Sequence, residues 1–208
     1  MQRHLIEKLL DWKKNPRRKP LILRGVRQCG KTWLLKEFAR LYYDRIAYFN
    51  FESERSLSSI FSGDIDIASI ISSLSVLCGE KIEPAKTLIV FDEIQECPTA
   101  LNSLKYFCEQ MPDYHVAAAG SLLGITLSSQ TSFPVGKVNF LDLHPMSFLE
   151  FLAVMDISLA EYVSKISTLD RIPEAITNRL ERQLRHYLIH GGMPEVVMCW
   201  KESKDFLQ

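Results

Sequence analysis

The sequence lacks any long hydrophobic run. No apolar stretch approaches the roughly 18 residues that a membrane-spanning helix needs. The N-terminal segment is interrupted at once by Arg3, Glu7 and Lys8, which is not the pattern of a secretory signal peptide. We therefore expect a cytoplasmic protein that does not enter a membrane.

Cysteine is also sparse. The chain has five cysteines, an odd number, and no two of them have the C-x-x-C spacing. This argues against a disulfide framework and a zinc ribbon, and it indicates a reducing compartment.

Neither sign of charge is in excess, because 25 basic residues balance 25 acidic ones. A global field that would attract nucleic acid is therefore excluded, and nucleic-acid binding would need a local patch. The basic run is Lys13, Lys14, Arg17, Arg18 and Lys19. It is either a phosphate-binding patch or, more often for such runs, a solvated turn before a buried strand.

What the sequence does contain is a regular alternation of predicted strands and helices. Short apolar runs predict strands at about residues 20–24, 46–51, 87–91, 115–119 and 138–143. Segments with apolar residues at helical spacing lie between the first four of these runs. This alternation predicts an α/β fold with a parallel sheet between helices.

The pattern changes after Pro145, where only helical periodicity remains. We predict a core over residues 1–155 and a small all-helical lid over residues 156–208. The sequence stops soon after a further helix begins at Pro194, so we expect truncation before additional C-terminal domains.

The first motif that carries chemistry follows the first predicted strand. Residues 25–32 read GVRQCGKT, which fits G-x-x-x-x-G-K-[ST] at every fixed position. In this loop, backbone N–H groups surround phosphate oxygens, and the following helix adds its positive dipole end. Lys31 is predicted to contact the β- and γ-phosphates of ATP, and the Thr32 hydroxyl to bind Mg²⁺. The predicted nucleotide-binding residues are Gly25, Val26, Arg27, Gln28, Cys29, Gly30, Lys31, Thr32 and Trp33.

The second motif ends the third predicted strand. Four apolar residues precede Asp92 and Glu93, which emerge at the edge where open α/β sheets bind ligands. Asp92 is predicted to hold Mg²⁺, and Glu93 to act as the general base toward water. A GTPase is not indicated, since no Asn-Lys-x-Asp guanine-binding motif is present.

Three further residues are candidates for contact with the γ-phosphate. If the strand order is 5-1-4-3-2, as in P-loop ATPases, the fourth strand lies between the two motif strands. Ser121 at its end then orients the attacking water, or alternatively caps a turn at residues 122–124. Lys137 either reaches a γ-phosphate, in its own or a neighbouring subunit, or is a solvated turn residue. Arg27 faces the same alternatives.

The sequence resembles the AAA+ superfamily, and more narrowly a widespread group of bacterial and archaeal ATPases with a C-terminal domain of unknown function. The likeness covers nearly the whole chain. It depends on LRGVRQCGKT (23–32), YFNFE (48–52), FDEIQ (91–95), GS (120–121), FPVGK (133–137), LHPMSFLEF (143–151) and GGMPEVV (191–197).

The resemblance implies an ATP-binding core, a helical lid, a winged-helix segment and the C-terminal domain. It also implies that Pro194 contacts adenine, although a helix start accounts for this proline equally well. Members of the group often have arginine at the position of Lys137, which leaves the role of Lys137 in a neighbouring subunit open.

We therefore expect an ATPase whose turnover drives motion between core and lid. The alternatives are a slowly hydrolysing nucleotide switch and a DNA-handling ATPase. The protein partner and the oligomeric state are not indicated by the sequence.

Overall fold

A five-stranded parallel sheet forms the centre of the fold. The computed structural model describes residues 3–63, 65–121, 134, 136–167 and 171–203. Its strands are β1 (Leu21–Gly25), β2 (Arg45–Asn50), β3 (Thr87–Asp92), β4 (His115–Ser121) and β5 (Asn139–Leu143). Neighbouring strands are parallel, in the order β2-β3-β4-β1-β5. The predicted α/β class and strand order are confirmed.

The helices follow the predicted apolar periodicity. Before and between the strands lie α1 (Leu5–Lys14), α2 (Lys31–Tyr42), α3 (Ile67–Cys78) and α4 (Pro98–Gln110). After the sheet come α5 (Phe148–Met155), α6 (Ile157–Ser164), α7 (Glu174–His190) and α8 (Pro194–Ser203). A 3₁₀ helix over Arg55–Phe61 was not predicted, because its serine-rich sequence has no clear helical period. No helix in the described part of the chain is long and apolar enough to cross a membrane.

The chain divides into two compact units. The first, which we call the sheet unit, comprises Leu5–Arg27 and Lys31–Leu143. The second, the helical unit, comprises Met1–His4, Gln28–Gly30 and His144–Gln208. The domain boundary between residues 155 and 156 stays a prediction.

The core of the sheet unit surrounds β3. Every residue of β3 is buried, as expected for a strand covered on both faces. On one face, the ring of Phe91 packs against Phe49, Phe51, Phe61 and Phe107, with centroids 5.6–6.2 Å away. This aromatic cluster anchors the strand immediately before the carboxylate of Asp92.

The helical unit has its own small core. Met146, Phe151 and Val197 are fully buried, and the Tyr187 hydroxyl donates a hydrogen bond to the Met146 carbonyl at 2.9 Å. Close to this core, the Met146 N–H donates to the carbonyl of Gly192 at 2.6 Å. The two backbone segments are in direct contact there.

Gly192→Ala is expected to destabilise the helical unit by about 3 kcal/mol, because an added side chain would overpack this contact. A β-carbon at Gly192 would lie 2.1 Å from the Met146 carbonyl oxygen, which is backbone and cannot turn aside. Chemical denaturation of the purified variant measures the loss.

Gly79→Ala is the control. Gly79, at the end of α3 in the sheet unit, has φ 73° and ψ 5° and nothing within 4 Å of an added β-carbon, so only the conformational cost of about 1 kcal/mol applies. Equal losses in the two variants would contradict the close approach at Gly192.

Candidate nucleotide-binding site

The glycine-rich loop connects β1 directly to α2. Gly25 is the last residue of β1 and Lys31 the first of α2. Lys31 is only 5% exposed, and its ammonium donates to the carbonyls of Gly25 and Val26 at 3.1 and 2.9 Å. Among the residues that the structure describes, no carboxylate pairs with this buried charge. A buried ammonium of this kind is suited to bind an anion.

The two motifs meet through a side-chain hydrogen bond. The Thr32 hydroxyl donates to Asp92 Oδ2 at 2.7 Å, and Asp92 is 2% exposed. Both residues lie at the edge of the sheet where the parallel strands end. The structure therefore brings Lys31, Thr32 and Asp92 together within the sheet unit.

The oxygen atoms of Thr32 and Asp92 fit a magnesium ion. Mg²⁺ prefers hard oxygen ligands, and it is usually held by one or two protein groups together with substrate phosphates and water. No cluster of three or more histidine, cysteine or acidic residues suited to a metal occurs in the described ranges. Two oxygen donors in contact with each other suit a metal ion that is bound together with a phosphorylated substrate.

Glu93 has an unusual backbone conformation. Its φ and ψ are 50° and 45°, in the left-handed region that non-glycine residues adopt only at a cost of about 1 kcal/mol. Its N–H donates to Asp92 Oδ1 at 3.1 Å, and its carboxylate accepts a hydrogen bond from the side-chain amide of Gln95. Glu93 therefore lies on a sharp turn after β3, with its backbone bound to Asp92 and its carboxylate bound to Gln95.

Ser121 lies at the same edge of the sheet. It ends β4, which pairs with both β1 and β3, and its Cα is in register with that of Gly25. The predicted contact between Ser121 and a γ-phosphate requires the serine to lie at this edge. The contact itself stays a prediction. The alternative turn at residues 122–124 lies outside the described residues.

The structure does not bring Lys137 to this edge. Lys137 precedes the first residue of β5, so it lies at the opposite end of the parallel sheet from Thr32 and Asp92. There its ammonium pairs with Glu109 of α4 at 2.9 Å. A role in a neighbouring subunit stays a prediction. Arg27 is exposed in the loop.

Pro194 lies next to the tip of the loop. Within the helical unit, a β-carbon at Gly30 would be 3.6 Å from Cγ of Pro194. Gly30 has φ 93°, a conformation that favours glycine. The adenine contact predicted for Pro194 stays a prediction, and the proline is also the first residue of α8.

Arg3 is a buried residue in contact with the glycine-rich loop that the sequence did not indicate. It is 3% exposed, and its guanidinium donates to the Cys29 carbonyl at 3.1 Å and the His144 carbonyl at 2.5 Å. Glu150 accepts a third hydrogen bond from it at 3.2 Å. No sequence pattern predicts that this arginine is buried, and the ion pair with Glu150 together with the two carbonyl contacts accounts for it.

Tyr48 is the second such residue. Its hydroxyl donates to Asp92 Oδ2 at 2.7 Å. Burial, and then the hydrogen bond to Asp92, raise the pKa of Tyr48 to about 12, so the hydroxyl stays a donor at neutral pH. The available signal was the alternation of Tyr48 and Asn50 on one face of a strand beside the motif strand.

The basic run before β1 has structural partners. Lys13 donates to the Tyr42 carbonyl, Arg18 to the Pro112 carbonyl and Lys19 to the Gly136 carbonyl. These contacts favour the turn over the phosphate-binding patch, because three of the cations already bind backbone.

Comparisons with known proteins agree with this arrangement. A family model described as an AAA domain matches residues 17–152. A solved structure of Drosophila ORC bound to DNA is 14% identical, with a TM-score of 0.55, and aligns with 95% of this chain and 57% of its own. The structure of PCH-2 from C. elegans is 13% identical, with a TM-score of 0.52, and aligns with 97% of this chain and 62% of its own. No curated protein matches the sequence.

The chain thus spans roughly three fifths of the length of these two solved structures. At such low sequence identity, the likeness shows a common fold only.

Proposed function

The chain belongs to the AAA domain family, and from this premise we propose that it binds ATP with Mg²⁺ and hydrolyses it. The cytoplasmic location predicted from the sequence is part of the proposal. So is the coupling of hydrolysis to motion between core and lid.

The observation that carries the proposal is the environment of Lys31. A buried ammonium without a carboxylate partner among the described residues lies beside a hydroxyl and a carboxylate in contact with each other. A positive charge is costly to bury alone, so its retention beside the loop is best explained by binding of a polyphosphate. A structural lysine would instead be expected to pair with an acid or to reach solvent.

Each residue then has a defined task. The loop N–H groups and Lys31 bind the phosphates, while Thr32 and Asp92 hold the metal ion. When bound, Mg²⁺ neutralises charge that develops on the phosphate oxygens. Glu93 accepts a proton from the attacking water, and Ser121 orients that water by a hydrogen bond. Pro194 contacts the adenine in this proposal.

A slowly hydrolysing switch is the second candidate, and one observation favours it. The carboxylate of Glu93 is hydrogen-bonded to Gln95, and a base engaged in this way has to exchange its partner for water before it can act.

Phosphate release under multiple turnover, with MgATP in excess, distinguishes the two candidates. An ATPase with ordinary turnover releases phosphate at about one per second or faster. A rate below about one per minute, with tight MgATP binding, would favour the switch. The absence of nucleotide binding would contradict both.

A further inference from the structure

The carboxylate of Asp92 receives three hydrogen bonds from three different parts of the sheet unit. Oδ2 accepts from the Thr32 hydroxyl of α2 and from the Tyr48 hydroxyl of β2, both at 2.7 Å. Oδ1 accepts from the N–H of Glu93, just after β3, at 3.1 Å. The contacts with Thr32 and Glu93 lie within the nucleotide-binding motifs, whereas the contact with Tyr48 does not.

We propose that Tyr48 is a positioning residue for the magnesium site: its hydroxyl fixes the Asp92 carboxylate in the orientation in which it meets Thr32. The inference rests on the proposed function, and it assigns to the edge strand β2 a part in metal binding.

The chemistry of an aspartate side chain makes such a partner necessary. Rotation about the terminal carboxylate torsion is broad and has no strong preference, so hydrogen bonds decide where each oxygen points. Asp92 is 2% exposed, and water cannot supply those hydrogen bonds freely.

Tyr48 is itself held on two sides. Its Cα is opposite Val90, and Asn50 is opposite Asp92, which places the tyrosine diagonally from the carboxylate on the same face of the sheet. The Asn50 amide donates to the Tyr48 oxygen at 3.3 Å. The ammonium of Lys36 lies 3.9 Å from the centre of the Tyr48 ring, and Lys36 is one helical turn after Thr32. The ring therefore bridges β2 and the helix that carries Thr32.

The experiment measures the affinity for a non-hydrolysable ATP analogue, β,γ-imido-ATP, by calorimetry in EDTA and across a range of MgCl₂ concentrations. Tyr48→Phe removes the hydroxyl and keeps the ring. We expect its affinity in EDTA to equal that of the wild type, because the loop and Lys31 are unchanged. The MgCl₂ concentration that gives half of the magnesium-dependent tightening should rise at least about tenfold, as one hydrogen bond to a charged group is lost.

Tyr43→Phe is the matched control. The Tyr43 hydroxyl is also hydrogen-bonded to a side chain of the sheet unit, His115 Nδ1 at 2.7 Å, but is not in contact with Asp92. Removal of the Tyr43 hydroxyl should leave the affinity for the ATP analogue unchanged, both in EDTA and in MgCl₂. Lys36→Gln is a second variant at an exposed position, and we expect a rise of about twofold in the same magnesium midpoint.

The outcomes separate this inference from the function on which it rests. If wild-type protein does not bind the analogue at all, the proposed function fails and the inference with it. If the wild type binds and Tyr48→Phe keeps the wild-type magnesium midpoint, the inference alone is overturned. Equal losses of affinity in EDTA and in MgCl₂ would likewise overturn it, since they would mean general damage to the loop.

Discussion

Lys31→Ala is expected to abolish measurable nucleotide binding while the protein stays folded. In the proposed function the ammonium contacts the β- and γ-phosphates, and hydrogen bonds to charged groups are each worth about 1.5–3 kcal/mol. Two such contacts correspond to a loss of affinity of at least about a hundredfold. Calorimetric titration with MgADP measures it.

The fold should survive because, within the described part of the chain, the ammonium of Lys31 donates to two carbonyls of its own loop and to no other element. Lys105→Ala, at an exposed position of α4, is the control for loss of a lysine elsewhere in the sheet unit. Thermal unfolding of both variants should resemble that of the wild type. Wild-type MgADP affinity in Lys31→Ala would contradict the assignment of the loop.

Glu93→Gln is expected to stop turnover and to keep MgATP bound. An amide has the size of the carboxylate but cannot accept the proton of the attacking water, and loss of a general base typically costs 10²- to 10⁴-fold in rate. Phosphate release should therefore fall by at least about a hundredfold. Binding should persist because Lys31, Thr32 and Asp92 are unchanged.

The control for this variant is Glu96→Gln. Glu96 is an exposed acid three residues further along, in the 3₁₀ helix Ile94–Glu96. The Glu96→Gln variant should release phosphate at the wild-type rate. If Glu93→Gln were as fast as the wild type, another group would have to be the base.

Much of the site could be predicted because its parts are local in sequence. The loop of residues 25–32 needs only a strand before it and a helix after it, and both were evident from apolar periodicity. The same holds for Asp92, which follows a fully buried strand. The predicted order of the strands then brought the ends of β1, β4 and β3 side by side, and the structure confirms that order.

The features that the sequence did not predict are contacts between residues far apart in the chain. Tyr48 and Asp92 are 44 positions apart, Arg3 and Cys29 are 26 apart, and Arg3 and Glu150 are 147 apart. Each of these side chains, taken alone, has the sequence pattern of an ordinary surface or strand residue. Lys137 is the opposite case, a predicted site residue that lies elsewhere. Its motif suggested the phosphate site, but the direction of β5 places it at the other end of the sheet.

The sequence by itself determined the fold class and the residues whose chemistry is suited to phosphate, metal and water, while the strand order came from the likeness to P-loop ATPases. It could do so because hydrophobic periodicity and loop geometry depend on neighbours along the chain. Only the tertiary structure decided which side chains contact Asp92 and Glu93. It also decided that Lys137 lies at the end of the sheet opposite Thr32 and Asp92. These depend on strand register and side-chain packing, which join residues that the chain itself keeps apart.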